Sequence, residues 1–297
     1  MSVLEFRDIH RSYQRGSEVL SGVTFHIDKG QVVGLLGRNG AGKTTLINIA
    51  MGMIRAQEGT ARVFGLDPQS NPVEIKRRIG FVSEQQILPP HMRTEAVIRY
   101  HRELFPDWDT ELENTLRQRF DVDPRARVKS LSHGEARQLA LLCAVSHRPE
   151  LLILDEPAGG LDPASRREFL ETAIQLLSES GSTILFSSHH MSDVERMADR
   201  IVLLDDRDVL IDAPLDDLRE NYLLAVLPLD GAVEAERLAA IEGCLRVRRH
   251  HKTLHAVFAG TAAEISRRLE AEFGTMDASC RHVPLEDLFV ELLGASS

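Results

Sequence analysis

The most constraining feature of this chain is the segment at residues 37–44 (GRNGAGKT), which matches the pattern G-x-x-x-x-G-K-[ST]. It lies directly between a continuous apolar run at residues 32–36 and a helical stretch at residues 44–51. Glycines let backbone N–H groups close around phosphate oxygens, and the start of the helix adds the positive end of its dipole. Lys43 is placed to reach β- and γ-phosphates, and the Thr44 hydroxyl is placed to bind Mg²⁺. The segment therefore predicts a nucleotide-binding site.

The other apolar runs predict the fold class. Residues 151–154 and 183–186 each form a strand-sized apolar run, and each run follows an amphipathic helical segment. This alternation is typical of an α/β fold with a parallel sheet whose strands are buried on both faces. Residues 1–30 instead carry short alternating patterns broken by glycines, which predict a small antiparallel layer.

Asp155 and Glu156 directly follow the second apolar run. The carboxyl ends of parallel strands meet at one edge of a sheet, so these side chains should lie near the phosphate-binding segment. Asp155 is then placed to hold Mg²⁺ through water, and Glu156 to activate an attacking water. An Asp-Glu pair after a strand is commonly a solvated loop start, but a phosphate-binding segment in the same sheet favours the functional interpretation.

The remaining parts of the chain predict two further units. Residues 90–130 carry helical periodicity and contain no convincing strand, which indicates an all-helical insertion. From residue 214 onward the patterns follow the order βαββαβ, which matches a ferredoxin-like unit. We therefore predict a nucleotide-binding domain at residues 1–213 and a small α+β domain at residues 214–297.

Charge and composition exclude several classes of protein. The 35 basic and 45 acidic residues give a formal net charge of −10, which argues against a non-specific nucleic-acid binder. The apolar runs are much shorter than the roughly 20 residues that span a bilayer. The three cysteines, Cys143, Cys244 and Cys280, lie far apart without C-x-x-C spacing, which favours reduced thiols over a zinc site.

Two pairs of adjacent histidines invite a metal-binding interpretation. His189 and His190 follow a predicted strand, and strand alternation would direct their rings to opposite sides. His250 and His251 fall at a predicted hairpin, where a solvated turn is favoured over a metal site. From the sequence alone, neither pair is expected to bind a metal ion.

A resemblance to a known family rests on a set of motifs in order. Residues 131–135 (LSHGE) resemble the Leu-Ser-Gly-Gly-Gln signature of ATP-binding-cassette (ABC) ATPases, and they lie just upstream of the Asp155-Glu156 strand. Tyr13 matches the aromatic residue that stacks on adenine, and Glu84 falls where the family usually has glutamine. The GLD segment at residues 160–162 matches the dimer-contact loop, and His189 matches the switch histidine that reads the γ-phosphate. The resemblance covers residues 1 to about 213.

The resemblance implies a P-loop ABC cassette with a parallel-sheet core, an antiparallel β-subdomain and a helical subdomain at about residues 88–145. It implies catalytic roles for Glu156, His189 and Glu84, and Mg²⁺ binding by Thr44 and Asp155. The residues that it assigns to ATP are Tyr13, Gly37, Asn39, Gly40, Ala41, Gly42, Lys43, Thr44, Thr45, Ser132 and Gly134.

The chain departs from the family pattern at three positions. His133 replaces the first glycine of the signature and Glu135 replaces its glutamine, whereas Ser132 and Gly134 are retained. Glu84 adds negative charge near the phosphates where the family has a neutral amide. Two alternatives stay open: Glu84 takes the place of that glutamine, as its spacing from Gly80 favours, or the adjacent Gln85 does.

A narrower resemblance links the chain to drug-resistance ATPases that pair with ABC-2-like permeases. It rests on residues 105–109 (FPDWD) and 284–289 (PLEDLF). It implies a transport ATPase, with export favoured, at the inner face of the cell membrane in the cytoplasm. The implied partners are a separate transmembrane permease, docked near residues 85–130, and a second ATPase subunit, for which a homodimer is favoured over a heterodimer. Trp108 is open to two interpretations: an anchor for the permease or packing within the helical insertion.

Other functions remain as alternatives. A soluble, regulatory ABC ATPase that moves no substrate is the main one, although the chain lacks the second cassette, the heptad segments and the zinc-binding cysteines of such relatives. A protein that exchanges ATP without hydrolysing it is disfavoured by the complete set of Asp155, Glu156 and His189. The chain contains no Asn-Lys-x-Asp stretch of the kind that reads guanine, so a GTPase is not expected.

Overall fold

A computed structural model describes residues 1–14, 17–84, 88–157, 159–228, 233–274 and 279–293. Its strands in chain order are β1 (Ser2–Gln14), β2 (Ser17–Asp28), β3 (Val32–Gly37), β4 (Glu58–Val63), β5 (Ile79–Val82), β6 (Leu151–Leu154), β7 (Thr183–Ser188), β8 (Arg200–Asp205), β9 (Asp208–Pro214), β10 (Tyr222–Pro228), β11 (Cys244–His250), β12 (Thr253–Ala259) and β13 (Ser279–Arg281).

The helices in chain order are α1 (Lys43–Ala50), α2 (Pro72–Arg77), α3 (Thr94–Leu104), α4 (Thr110–Arg119), α5 (His133–Val145), α6 (Pro163–Ser180), α7 (Met191–Met197), α8 (Leu215–Asn221), α9 (Ala235–Ala239), α10 (Ala262–Phe273) and α11 (Leu285–Leu293). None of the described helices combines the length and the apolar character that crossing a bilayer requires.

The central sheet has the strand order β5-β6-β7-β3-β8-β9 and is parallel except for β9, which pairs antiparallel with β8. Strands β6 and β7 are buried along their whole length, as continuous apolar runs covered on both faces should be. The predicted α/β fold is confirmed. Because β3, β6 and β7 are parallel neighbours, the segments that follow their carboxyl ends lie at one edge of the sheet.

A second sheet, β2-β1-β4, is antiparallel and covers the central sheet on the side of α1. Its inward side chains, including Leu4 and Phe6, share one buried cluster with Leu35 of β3 and Leu46 of α1. The antiparallel layer predicted for residues 1–30 is therefore present, and β4 completes it.

Helices α3 and α4 fill the segment predicted to be helical, and α5 packs against them. Glu113 of α4 is fully buried at their centre, where it forms ion pairs with Arg102 at 2.6 Å and Arg117 at 2.8 Å. The indole Nε1 of Trp108 donates to the same carboxylate at 2.8 Å. These contacts account for Trp108 by packing within the helical insertion.

The C-terminal residues form a third sheet, which is antiparallel and has the order β11-β12-β10-β13. The elements of this sheet with α9 and α10 follow the order βαββαβ, and they enclose a small core of their own. The strand predicted from residue 276 is described only from residue 279. The division of the chain into two domains at residue 214 stays a prediction.

Helix α11 was not expected from the sequence patterns. Its residues Leu288 and Leu292 are buried in the same core as Met191 and Val194 of α7, next to the central sheet. Helix α11 therefore returns to the nucleotide-binding part of the molecule, because it buries an apolar face that the small third sheet does not cover alone.

Candidate active site

The turn between β3 and α1 has a backbone that only glycine adopts easily. Gly40 and Gly42 have φ values of 84° and 103°, in the left-handed region. A Cβ on Gly42 would lie 2.5 Å from Cδ2 of Leu20 and 3.2 Å from the carbonyl oxygen of Val19. The sequence thus folds residues 37–44 into a tight cradle in front of the α1 N-terminus, and such a cradle fits a phosphate group.

Lys43 is the first residue of α1 and only 6% of its surface is exposed. Its Nζ donates to the carbonyl oxygens of Gly37 at 2.8 Å and Arg38 at 3.4 Å, so the side chain folds back over the loop. The same atom lies 3.3 Å from Oε1 of Glu156. The structure therefore brings the loop lysine and the glutamate after β6 together, as the order of the strands requires.

Asp155 and Glu156 are held by a hydroxyl from the neighbouring strand. Oγ of Ser187 at the end of β7 donates to Oδ1 of Asp155 at 2.6 Å and accepts from the Glu156 backbone N–H at 2.8 Å. Asp155 is only 3% exposed. The Thr44 hydroxyl, which is exposed at the start of α1, and the Asp155 carboxylate are oxygen groups of the kind that Mg²⁺ prefers.

Two features of Glu156 indicate that it belongs to a ligand-binding site. Its backbone has a φ of 45°, a left-handed conformation that costs a residue with a side chain about 1–3 kcal/mol. Its Oε1 is buried and has no hydrogen-bond partner, although the Lys43 amine is nearby. A buried acceptor of this kind is costly unless a ligand or water completes it. The residues therefore fit a bound nucleotide with its metal ion and an attacking water.

His189 lies directly beside Glu156. Its Nδ1 donates to Oε2 of Glu156 at 2.8 Å, because an ionised carboxylate can only accept. This bond leaves Nε2 of the ring as the atom available to a ligand.

The rings of His189 and His190 do not point to opposite sides, as strand alternation had predicted: their centroids are 4.0 Å apart. The prediction was wrong because β7 already ends at Ser188, and the chain turns into α7. Burial lowers the pKa of His190, and the neighbouring His189 ring lowers it further.

Tyr13 lies next to the phosphate-binding turn. Its hydroxyl is 3.2 Å from Oγ1 of Thr45, and its ring is half exposed. The Arg11 guanidinium lies 5.1 Å from the ring centroid. The structure thus places an exposed aromatic ring near α1, and its stacking on adenine stays a prediction.

The signature residues occupy the N-terminus of α5. Oγ of Ser132 accepts from the Glu135 backbone at 3.2 Å, and Oε2 of Glu135 accepts from the Ser132 backbone at 2.7 Å. This is a capping box, which glutamate and glutamine both support, so the departure at Glu135 preserves the helix start. A Cβ on Gly134 would lie 3.9 Å from Leu161 and Ser165. Within the described residues, no hydrogen bond joins the signature to the phosphate-binding turn of the same chain.

Glu84 follows β5 and is exposed, whereas Gln85 lies outside the described residues. The choice between Glu84 and Gln85 for this role therefore stays open. The backbone carbonyl of Glu84 accepts from Nη2 of Arg137 at 2.9 Å.

Arg137 is the functional candidate that the sequence analysis missed. It projects from α5, is almost fully buried, and its Nη1 donates to the carbonyl oxygens of Glu156 at 3.0 Å and Pro157 at 2.7 Å. Burial lowers the pKa of this guanidinium, while the carboxylates of Glu84 and Glu156 oppose that effect. One cation thus ties the signature helix to two loops of the site. The sequence does contain one sign of this role: Arg137 lies close to the wholly apolar stretch of α5, where a charged side chain needs buried partners.

We expect Arg137→Lys to destabilise the chain by about 3 kcal/mol, because a single compact ammonium cannot span carbonyl oxygens that Nη1 and Nη2 of the guanidinium reach separately, and each charge-assisted bond contributes about 1.5–3 kcal/mol. ATP turnover should also fall, even at a low temperature at which the variant stays folded, because both loops lose the contacts that hold them. Urea unfolding and steady-state turnover measure the two effects. Arg99→Lys, on the exposed face of α3, is the matched control. Equal stability of the Arg137 and Arg99 variants would contradict the tether.

Comparisons with known proteins identify the family of the chain. The family model described as ABC transporter matches residues 20–159. The chain is 31% identical over 228 residues to the ABC transporter ATP-binding protein YtrB of Bacillus subtilis, covering 77% of each chain. It is 32% identical to the daunorubicin/doxorubicin resistance ATP-binding protein DrrA of Streptomyces peucetius, covering 79% of this chain and 74% of the relative.

Among solved structures, the ATP-binding subunit of an ABC transporter superposes with a TM-score of 0.67 at 29% identity, covering 73% of this chain and 92% of that one. Cassettes of this kind bind ATP, generally require Mg²⁺, and work as dimers together with membrane permeases. The level of identity and the coverage by these relatives show the family. The chain belongs to the ABC transporter ATP-binding proteins and is an ATP-hydrolysing cassette.

Proposed function

We propose that this chain is the ATPase subunit of an ABC-2-like exporter, which hydrolyses MgATP and drives a separate membrane permease from the cytoplasmic side. The observation that carries the hydrolysis in this proposal is the placement of the Glu156 carboxylate between Lys43 and His189 at the end of β6. This arrangement suits hydrolysis, because it combines a cation for phosphate, a base for water and an imidazole for the transferred group. The export in it rests on the similarity to the drug-resistance protein DrrA.

The proposed roles follow from the contacts. The amides of the phosphate-binding turn and Lys43 bind the β- and γ-phosphates, which compete with the carbonyl oxygens that Lys43 now contacts. Thr44 and Asp155 would hold Mg²⁺, whose charge would offset that of the phosphates. Glu156 accepts a proton from the attacking water, and Nε2 of His189 contacts the γ-phosphate. The hydrogen bond from His189 Nδ1 to Glu156 holds both side chains in a fixed orientation.

A dimer completes this site. Each chain carries one phosphate-binding turn and one signature, and the hydroxyl of Ser132 accepts a hydrogen bond from the backbone of its own α5. In a symmetric pair, the signature of one subunit is available to the γ-phosphate held by the other. ATP then bridges the two chains, and hydrolysis removes the bridge. We propose a homodimer, since this chain contains both halves of the composite site.

A groove between the central sheet and the helical insertion is the proposed docking surface for the permease. It has a volume of about 430 Å³, and its lining includes Met53, Phe81, Leu88, His101 and Phe105. Met53 is 52% exposed, and the large side chains Tyr100 and Leu104 of α3 are also exposed. A short amphipathic helix of a permease fits such an apolar groove with a polar rim.

The test of this proposal is co-purification with a candidate permease, followed by turnover measurements in lipid vesicles. We expect Met53→Glu to abolish capture by the permease while leaving the turnover of the isolated ATPase unchanged, since Met53 lies outside the nucleotide site. Val73→Glu is the control, because Val73 is also exposed but is not part of the groove lining. A chain that regulates soluble partners instead would show no permease-dependent turnover.

We expect Glu84→Gln to keep or raise ATP turnover, by about twofold or less, because it removes a negative charge near the triphosphate and restores a neutral amide. Glu95→Gln on α3 is an exposed control for the same change of charge. Steady-state phosphate release measures both variants. A collapse of turnover with ATP binding intact would instead assign Glu84 a catalytic or coupling role.

A further inference from the structure

His250, His255 and Glu291 form a cluster of metal-ligating side chains away from the nucleotide site. His250 Nε2 lies 3.2 Å from Oε2 of Glu291, and His255 Nδ1 lies 2.7 Å from Oε1 of the same carboxylate. The two imidazole rings are stacked with centroids 4.3 Å apart. All three ligand atoms lie within 4.8 Å of one another. No other group of three such residues within the described ranges meets that criterion.

Three elements position this cluster. His250 ends β11 and His255 lies in β12, so both are fixed by one antiparallel hairpin whose turn contains His251 and Lys252. Glu291 is on α11 and is only 9% exposed, because Leu288 and Leu292 of the same helix are buried. Nη2 of Arg248 also donates to the carbonyl oxygen of Leu292 at 3.4 Å. Both His250 and His251 are exposed, as expected, but only His251 lies in the turn, because His250 is the last residue of β11.

We propose that His250, His255 and Glu291 bind one divalent transition-metal ion, with Zn²⁺ as the best fit. Two imidazole nitrogens and one carboxylate form a zinc ligand set, in which Zn–N and Zn–O distances are about 2.0–2.2 Å. Two ligands of one ion are then separated by about 3–4 Å, so the observed atoms need only small side-chain rotations. His250 is exposed, which leaves the fourth tetrahedral position to water. Mg²⁺ and Ca²⁺ prefer sites composed of oxygen ligands, and this site is not one.

The site would join the hairpin to a helix that borders the nucleotide site. On the side of α11 that carries Glu286, Phe289 and Val290, a cavity of about 480 Å³ is lined in part by Arg38 and His189. A metal ion on Glu291 would therefore restrain a helix that also lines this cavity. Slower amide exchange along α11 is the expected structural consequence.

The experiment is calorimetric titration of the full chain, free of any histidine tag and of nucleotide, with ZnCl₂ after treatment with a chelator. We expect one tight site in the wild type, at least about tenfold weaker binding in His255→Ala and His250→Ala, and no comparable binding of Mg²⁺. His251→Ala is the matched control, since His251 lies in the same hairpin but outside the cluster. Equal loss in His251→Ala, or wild-type affinity in His255→Ala, would overturn the proposal.

Two further measurements keep the test valid if a variant folds poorly. Co²⁺ bound by this ligand set should give visible d–d absorption in the wild type and in His251→Ala, and the milder change Glu291→Gln should remove it. Hydrogen exchange should show slower exchange at residues 285–293 on adding Zn²⁺ to the wild type but not to Glu291→Gln. A wild type that binds Zn²⁺ without either signature would place the ion elsewhere and refute the site.

Discussion

Glu156→Gln should reduce ATP turnover about 10²–10⁴-fold while ATP binding is retained, because an amide keeps the shape of the side chain but cannot accept a proton from water. The variant also removes a negative charge 3.3 Å from Lys43, which leaves that amine free to neutralise phosphate oxygens. An ATP-bound pair of subunits should therefore persist, since ATP contacts both chains and mass action favours the dimer when hydrolysis is blocked.

Size-exclusion chromatography of this variant with MgATP, with MgADP and without nucleotide measures the effect. Glu195→Gln provides the control, because Glu195 is an exposed glutamate on α7 and its substitution makes the same change of charge. The control should turn over ATP as the wild type does and should not accumulate dimers. If the Glu156 variant stays monomeric at saturating MgATP, the composite site of two subunits is wrong.

Lys43→Ala should weaken ATP binding at least about 100-fold, because the main cation for the β- and γ-phosphates is lost. The structure adds a second expected effect on stability. Lys43 is the cation nearest to the buried Oε1 of Glu156, which has no hydrogen-bond partner in the described chain. Removing one partner of a buried ion pair commonly costs about 3–5 kcal/mol. The free energy of unfolding should therefore fall as well.

A double variant separates the two effects of Lys43. Combining Lys43→Ala with Glu156→Gln removes the uncompensated carboxylate, so most of the lost stability should return while ATP binding stays weak. Equilibrium binding of a fluorescent ATP analogue and urea unfolding report on the two quantities. Lys29→Ala, at an exposed turn, is the control. If Lys43→Ala binds the ATP analogue with wild-type affinity, residues 37–44 are not the phosphate-binding site.

The C-terminal residues show what local sequence patterns can and cannot predict. Alternating apolar residues and helical periodicity predicted the order βαββαβ, because each of those elements buries a face that its own sequence marks. Helix α11 lies beyond those elements, and its apolar residues Leu288 and Leu292 pack against α7, about 100 residues earlier in the chain. The periodicity of apolar residues within α11 does not specify α7 as the helix that it packs against. Removing the residues from 215 onward would therefore also uncover apolar surface next to the nucleotide site.

The sequence by itself determined the phosphate-binding turn, the acid pair after β6 and the parallel direction of the core strands. Each of these depends on residues that are neighbours in the chain or on a rule about the ends of parallel strands. Only the tertiary structure decided that Arg137 bonds to Glu84, Glu156 and Pro157, and that His250 shares a carboxylate with His255. These contacts join residues up to 53 positions apart in the first case and 41 in the second. Buried polar groups find their partners only when packed elements meet, and the sequence pattern of either element alone does not encode that meeting.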